Sequence, residues 1–284
     1  MWMFLMLLLP VVEAFQNRGF AVRQAKRMIP LRMAGFGKTK EKGSKGKAFA
    51  DAGPVPKAEP VDMSNYCRTV DLNYPGMRLV HKEPPIFEID DFFSEEMCDA
   101  YIARAQEKGA MYNSQTFVAA TSTVRSSTTW YLKYAEFAEF LVRASSLTGK
   151  AIETMEDPQI VRYEMGQQFS WHYDALPPSM NKNGGQRVAT ILLYLNDLND
   201  LNGGATCFKD LNLKVQPKKG KALLFFPCLH DGTPDDRTMH AGQITMDTKW
   251  IAQIWLHQEA YTPAVPPGTS HADGIAAVGE LQNM

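Results

Sequence analysis

The heptapeptide FSWHYDA, Phe169–Ala175, sets a histidine and an aspartate two positions apart between aromatic neighbours. Residues i and i+2 of a β-strand project from one face, so His172 and Asp174 can offer an imidazole nitrogen and a carboxylate oxygen to the same ion. An HxD pair by itself arises on many polar strands and needs a third donor to mean anything. His240, in RTMHAGQITMDTKWIAQIW, is the candidate. Two imidazoles and one carboxylate form the facial set that suits Fe(II) and leaves positions open for a chelating 2-oxo acid and for dioxygen. The same donor types also serve zinc hydrolases. Lys249 separates the two chemistries. An unpaired lysine in the apolar run KWIAQIW is costly to bury, and at the end of a pocket its ammonium would meet the distal carboxylate of 2-oxoglutarate. Zinc hydrolysis gives that lysine no task.

These groups must be positioned by elements that the sequence also marks. From Gln159 onward come short runs rich in β-branched and aromatic residues: QIVRYEMGQQFSWHYDA, QRVATILLYLND, ATCFKDLNLKVQP, KALLFFPCL and KWIAQIWLHQ. Gly, Asn, Asp and Pro clusters separate them, the pattern of an antiparallel barrel or jelly roll. Upstream, a short strand over 86–89 precedes a helix. Ser94 is its N-cap, Glu95 and Glu96 occupy its first turn, and Met97, Tyr101, Ile102 and Ala105 recur at helical spacing up to a C-cap at Gly109. A second helix is predicted over 135–148, ending at Gly149. Helices first and strands after describe an α+β fold, with a double-stranded β-helix (jelly-roll) core and N-terminal helices packed against it.

The 284-residue chain is 45% hydrophobic, enough for a substantial core, and its formal net charge of −1 offers no general attraction to nucleic acid. Its four cysteines form no CxxC pair and suggest neither a zinc site nor a disulfide framework, although one bridge would suit a secretory protein. Residues 1–15 open with the apolar run MWMFLMLLLPVV, read as a signal peptide or a retained anchor. Residues 16–60 are a basic, transit-like or linker segment. After Glu13 the next acidic residue is Glu41, while Arg18, Arg23, Lys26, Arg27, Arg32, Lys38 and Lys40 lie between. The domain proper is expected over 61–262, with a loose tail over 263–284. The leader directs the chain to the secretory pathway (endoplasmic reticulum lumen or membrane) or, as an alternative, to a plastid through a bipartite leader.

The stretches VRYEMGQQFSWHYD, QRVATILLYLND, GGATCF and HAGQITMDTKWIAQIW, in this order between Pro85 and His257, resemble the catalytic domain of 2-oxoglutarate/Fe(II) dioxygenases, specifically the prolyl 4-hydroxylase group. The resemblance implies His172, Asp174 and His240 as iron ligands and Lys249 as the partner of the 2-oxoglutarate C5 carboxylate. It implies Tyr163 as a wall of that pocket and Thr190 as a second polar contact. Trp255 matches a late aromatic and reads as packing. VRSSTTWYL, Val124–Leu132, matches a segment bordering the site, where Arg125 either steers substrate or is solvated. His230 rivals His240, but the interval from His240 to Lys249 and the following Ala-Gly keep His240. One departure is Ala205, where the family usually has a glutamate after the glycine pair Gly203-Gly204, itself read as a tight turn. The implied activity hydroxylates proline in a peptide or protein and releases succinate and CO2, with ascorbate as reductant. The alternatives are another peptidyl side chain, a small molecule, or a non-catalytic jelly-roll binding module. No nucleic-acid partner is expected, and membrane contact only through an uncleaved N-terminal anchor.

Overall fold

Strands that are apolar on both faces need cover on both, and this requirement organises the chain. The computed structural model describes residues 61–107, 112–113, 126–131 and 134–262. The segments 1–15, 16–60 and 263–284, together with Gly109 and Arg125, lie outside the described residues. In chain order the strands are β1 (Met77–His81), β2 (Ile86–Ile89), β3 (Tyr112–Asn113), β4 (Thr128–Tyr131), β5 (Gln159–Tyr163), β6 (Phe169–His172), β7 (Arg187–Tyr194), β8 (Thr206–Phe208), β9 (Leu213–Val215), β10 (Ala222–Phe225), β11 (His240–Gly242) and β12 (Lys249–His257). Helix α1 (Glu95–Glu107) follows β2, and α2 (Ala138–Thr148) follows β4.

The strands form a double-stranded β-helix. A major sheet has the order β1-β2-β10-β7-β12-β5-β4-β3, and a minor sheet the order β6-β11-β8-β9. Every pairing is antiparallel. The central strand β7 is buried at all eight positions, and period-2 alternation divides its side chains between two cores. Ala189, Ile191 and Leu193 join Ala252, Ile254 and Leu256 of β12 against α1 and α2, where they meet Tyr101, Phe140, Leu141 and Leu147. Leu192 and Tyr194 turn inward with Val161, Leu223, Phe225 and Ile251 to fill the space between the sheets. The long apolar runs that resembled simple strands therefore carry two cores back to back.

Helix α1 begins as the sequence indicates: the Met97 amide donates to Ser94 Oγ at 3.3 Å, and Glu95 and Glu96 sit in the first turn. The second helix departs from prediction at its start. Tyr134–Glu136 forms a 3-10 turn, Phe137 breaks from helical geometry, and α2 proper starts at Ala138. Its end is as expected, at Gly149 with φ 64°. A Cβ there would lie 2.6 Å from the Thr69 carbonyl oxygen, so glycine is required twice over.

Two further differences shape the site. The run from Gln159 to Ala175 is two strands in different sheets. The chain turns at 164–167, where the Gln167 amide donates to the Glu164 carbonyl at 2.9 Å and Gly166 takes φ 83°. The segment VRSSTTWYL, singled out only as bordering the site, supplies β4, whose Thr128–Tyr131 pair with β5.

Candidate active site

The site lies between the two sheets. His172 ends β6 and His240 begins β11, and the two are direct register partners in the minor sheet. The register slips between His240 and Gly242, so Gly242 pairs with Phe169. This irregularity brings Phe169 onto His172, with ring centroids 3.5 Å apart and planes 11° from parallel. Asp174 lies two residues past the end of β6, outside the ladder, and is buried.

The ligand atoms of His172, Asp174 and His240 all lie within 4.8 Å of one another, and among the described residues this is the one group of three or more His, Cys, Asp or Glu side chains able to hold an ion. The two Nε2 atoms stand 3.8 Å from Asp174 Oδ1 and Oδ2, respectively. Each imidazole is aimed from behind. His172 Nδ1 is 2.8 Å from the Ser170 carbonyl and His240 Nδ1 is 3.0 Å from the Thr238 carbonyl. A carbonyl only accepts, so each Nδ1 carries a proton, and Nε2 is the nitrogen left to face a metal. The Phe225 ring packs edge-on against His240 at 4.7 Å. Burial pushes the Asp174 carboxyl upward, but His240, His172 and Arg187 outweigh it and hold the carboxyl below the usual range. The donors are thus one carboxylate and two imidazole nitrogens, converging from one side.

Lys249 opens β12 opposite Tyr163 of β5. It is 2% exposed, and its ammonium lies 5.3 Å from the centre of the Tyr163 ring and 5.8 Å from that of Tyr194. No carboxylate partners it among the described residues, and burial lowers its pKa to about 8. A lysine in this state marks a place for an anion. Gly242 leaves room for one: a Cβ there would stand 3.8 Å from Lys249 Nζ and from Phe169 Cβ, inside the pocket that also holds Tyr163, Thr190 and Thr206. The donor set and the buried ammonium together fit Fe(II) and 2-oxoglutarate.

The structure also places the remaining candidates. Thr190 lines the pocket, and its hydroxyl donates to Asp174 Oδ2 at 2.9 Å, joining the major sheet to the ligand carboxylate. Trp255, the register partner of Thr190, packs beneath the Arg187 guanidinium at 3.9 Å. His230 is not near the triad; its Nε2 lies 3.1 Å from Arg68 Nη2 at the surface. Gly203 and Gly204 both have positive φ, and a Cβ on Gly203 would meet the Ile244 carbonyl oxygen at 2.3 Å, so the pair makes the turn into β8. Sequence reasoning overlooked Thr206, within the quoted GGATCF. It accepts from the Tyr194 hydroxyl at 2.8 Å, which frees its own proton for the pocket. It also overlooked Phe169 and Arg187, which only contacts made through folding identify.

Residues 158–257 match the model of the 2OG-Fe(II) oxygenase superfamily. Prolyl 4-hydroxylase 5 of Arabidopsis thaliana is 31% identical over 208 residues, which is 64% of this chain and 71% of that protein. Prolyl 4-hydroxylase 1 of the same plant is 31% identical over 205 residues, 64% and 72% of the two chains. Among solved structures, the viral collagen prolyl hydroxylase of Paramecium Bursaria Chlorella virus-1, in its 2OG complex, is similar at a TM-score of 0.50. It is 26% identical, and the match covers 60% of this chain and 94% of the viral one.

Proposed function

Because this chain belongs to the prolyl 4-hydroxylase family of 2-oxoglutarate/Fe(II) oxygenases, we propose that His172, Asp174 and His240 hold its iron, that Lys249 anchors its 2-oxoglutarate, and that its substrate is a prolyl residue of an extended peptide. It is a 2-oxoglutarate-dependent dioxygenase. The observation that carries the residue assignment is the convergence of the three donors on the pocket of a buried lysine that has no carboxylate partner among the described residues. Fe(II) with 2-oxoglutarate and dioxygen supplies the oxidation: the 2-oxo acid becomes succinate and CO2, and one oxygen atom enters a substrate C–H bond.

The chain's own residues do the rest. Asp174 stays ionised and neutralises ion charge. The Ser170 and Thr238 carbonyls fix the two imidazoles. Lys249 takes the far carboxylate of the cosubstrate, with Tyr163 as a wall and the Thr206 proton available to an oxygen. Leu192, Ile251 and Phe169 line the same pocket and exclude water.

Ascorbate is included in the proposal as the reductant that recovers iron oxidised in stalled turnover. The leader is read in two ways. One sends the chain into the secretory pathway, attached to a membrane only if the apolar segment is retained. The other, the alternative, sends it to a plastid. The proposal is tested with purified protein, Fe(II), ascorbate and 2-oxoglutarate. Succinate should rise with a proline-rich peptide, which gains one oxygen atom, and should not rise with the same peptide carrying alanine for proline. Succinate indifferent to both peptides would overturn the substrate assignment.

A further inference from the structure

Behind the site lies a buried charged cluster built on Arg187. Arg187, the first residue of β7, and His257, the last of β12, are register partners and both are buried. Between them lies Glu156. The Arg187 guanidinium donates to it through Nε at 2.5 Å and Nη2 at 2.9 Å. His257 places Nε2 2.8 Å from the same carboxylate and Nδ1 3.0 Å from the Gly185 carbonyl. Glu156 is itself fixed, its amide donating to the Trp255 carbonyl at 2.9 Å. The remaining guanidinium nitrogen, Nη1, donates to the backbone carbonyl of Asp174 at 3.3 Å.

That last contact gives the cluster a purpose. A buried ion pair is a weak stabiliser, because desolvation offsets much of the attraction, and its best-supported role is to specify geometry. Asp174 needs such specification, since it lies past the end of β6 where no strand ladder holds it. Two bonds from the major sheet reach it instead: Thr190 on the carboxylate and Arg187 on the carbonyl. Holding that carbonyl restricts rotation about the Asp174 Cα–C bond, and so narrows the directions in which Cβ and the carboxylate can point.

We propose that Arg187 is a positioning residue for Asp174: Glu156 and His257 clamp its guanidinium, and the guanidinium holds the Asp174 carbonyl so that the carboxylate faces His172 and His240. This inference rests on the metal-site reading above. The test is titration of the full chain, freed of metal, with Co(II), following the visible spectrum of the bound ion, for wild type, R187Q, R187K, E156Q and D174A. Expected are a fall in Co(II) affinity of about 10- to 100-fold in R187Q with a changed spectrum, partial recovery in R187K, and a smaller loss of the same sign in E156Q. In turnover, R187Q should lower kcat more than it raises the peptide KM. If R187Q does not fold, E156Q carries the test, because it loosens the clamp and keeps the arginine. Wild-type affinity and spectrum in a folded R187Q, or in E156Q where R187Q fails to fold, with only a lower Tm or a higher peptide KM, would overturn the inference and leave the metal site standing. Failure of wild type to bind Co(II), or undiminished binding by D174A, would instead overturn the metal site and this inference with it.

Discussion

Burial holds the Lys249 ammonium at a disadvantage that a dicarboxylate would relieve. The fall from an ordinary 10.5 to about 8 corresponds to about 3 kcal/mol against the charged form. Between those pH values the unfolded chain holds more protons than the folded one, so unfolding free energy rises with pH across that window and the penalty is fully present below about 8. Lys249→Met should therefore raise the Tm of the metal-free protein at neutral pH and remove the rise between pH 8 and 10.5, as read by calorimetry. The same variant should raise the KM for 2-oxoglutarate about 10- to 100-fold, the loss of one charge-assisted contact. A lower Tm in Lys249→Met would contradict the unpaired state. At the ligands, Thr190→Val should weaken Mn(II) binding about 10-fold with little change in Tm, because the hydroxyl acts on the Asp174 carboxylate. Equilibrium dialysis with Mn(II) would measure it.

At the scale of elements, the short strands of the minor sheet hold the two candidate histidine ligands, and the long strands of the major sheet hold Lys249, Tyr163 and Thr190 on the facing side of the pocket. β11 is three residues long, yet it holds His240 and Gly242 on one face, with Lys249 Nζ just beyond. Gly242→Leu should fill that space. Mn(II) binding should persist while added 2-oxoglutarate no longer raises the Tm, a separation visible by thermal shift. α2 acts from the other side of the major sheet, filling the outer core with Phe140, Leu141 and Leu147. Phe140→Ala should cost about 3–5 kcal/mol, measured by urea unfolding, without a matching loss of metal affinity per folded molecule. This follows because α2 packs on the outward face of the major sheet, while the ligands lie between the sheets.

For the whole molecule, the two cores share the strands of the major sheet, and the site bridges the two sheets. Ligands that bind only the folded state should stabilise all of it. Mn(II) and 2-oxoglutarate together, each at about 100 times its Kd, should add roughly 2.7 kcal/mol per site. The cosubstrate share should vanish in Lys249→Met and the metal share in Asp174→Ala. Neither loss should occur in His230→Ala, whose ring lies at the surface beside Arg68. Fusing residues 1–60 to a fluorescent protein would decide between the two readings of the leader. Labelling of the endoplasmic reticulum would overturn the plastid alternative.

The sequence by itself determined what is local. The i, i+2 spacing of His172 and Asp174, the apolar runs of β7 and β12, the Ser94 and Gly149 caps and the lone lysine of KWIAQIW are local to a few residues, so a linear reading reaches them. What only the tertiary structure decided are contacts between segments distant in the chain. It placed His240 rather than His230 beside His172, because β11 pairs with β6 and the loop holding His230 does not. It divided the run from Gln159 to Ala175 between two sheets, left Asp174 beyond the strand, and brought Thr190 and Arg187 to hold it. Register across a sheet and the meeting of two sheets are set by the packing of the whole core, and no spacing within one segment encodes them.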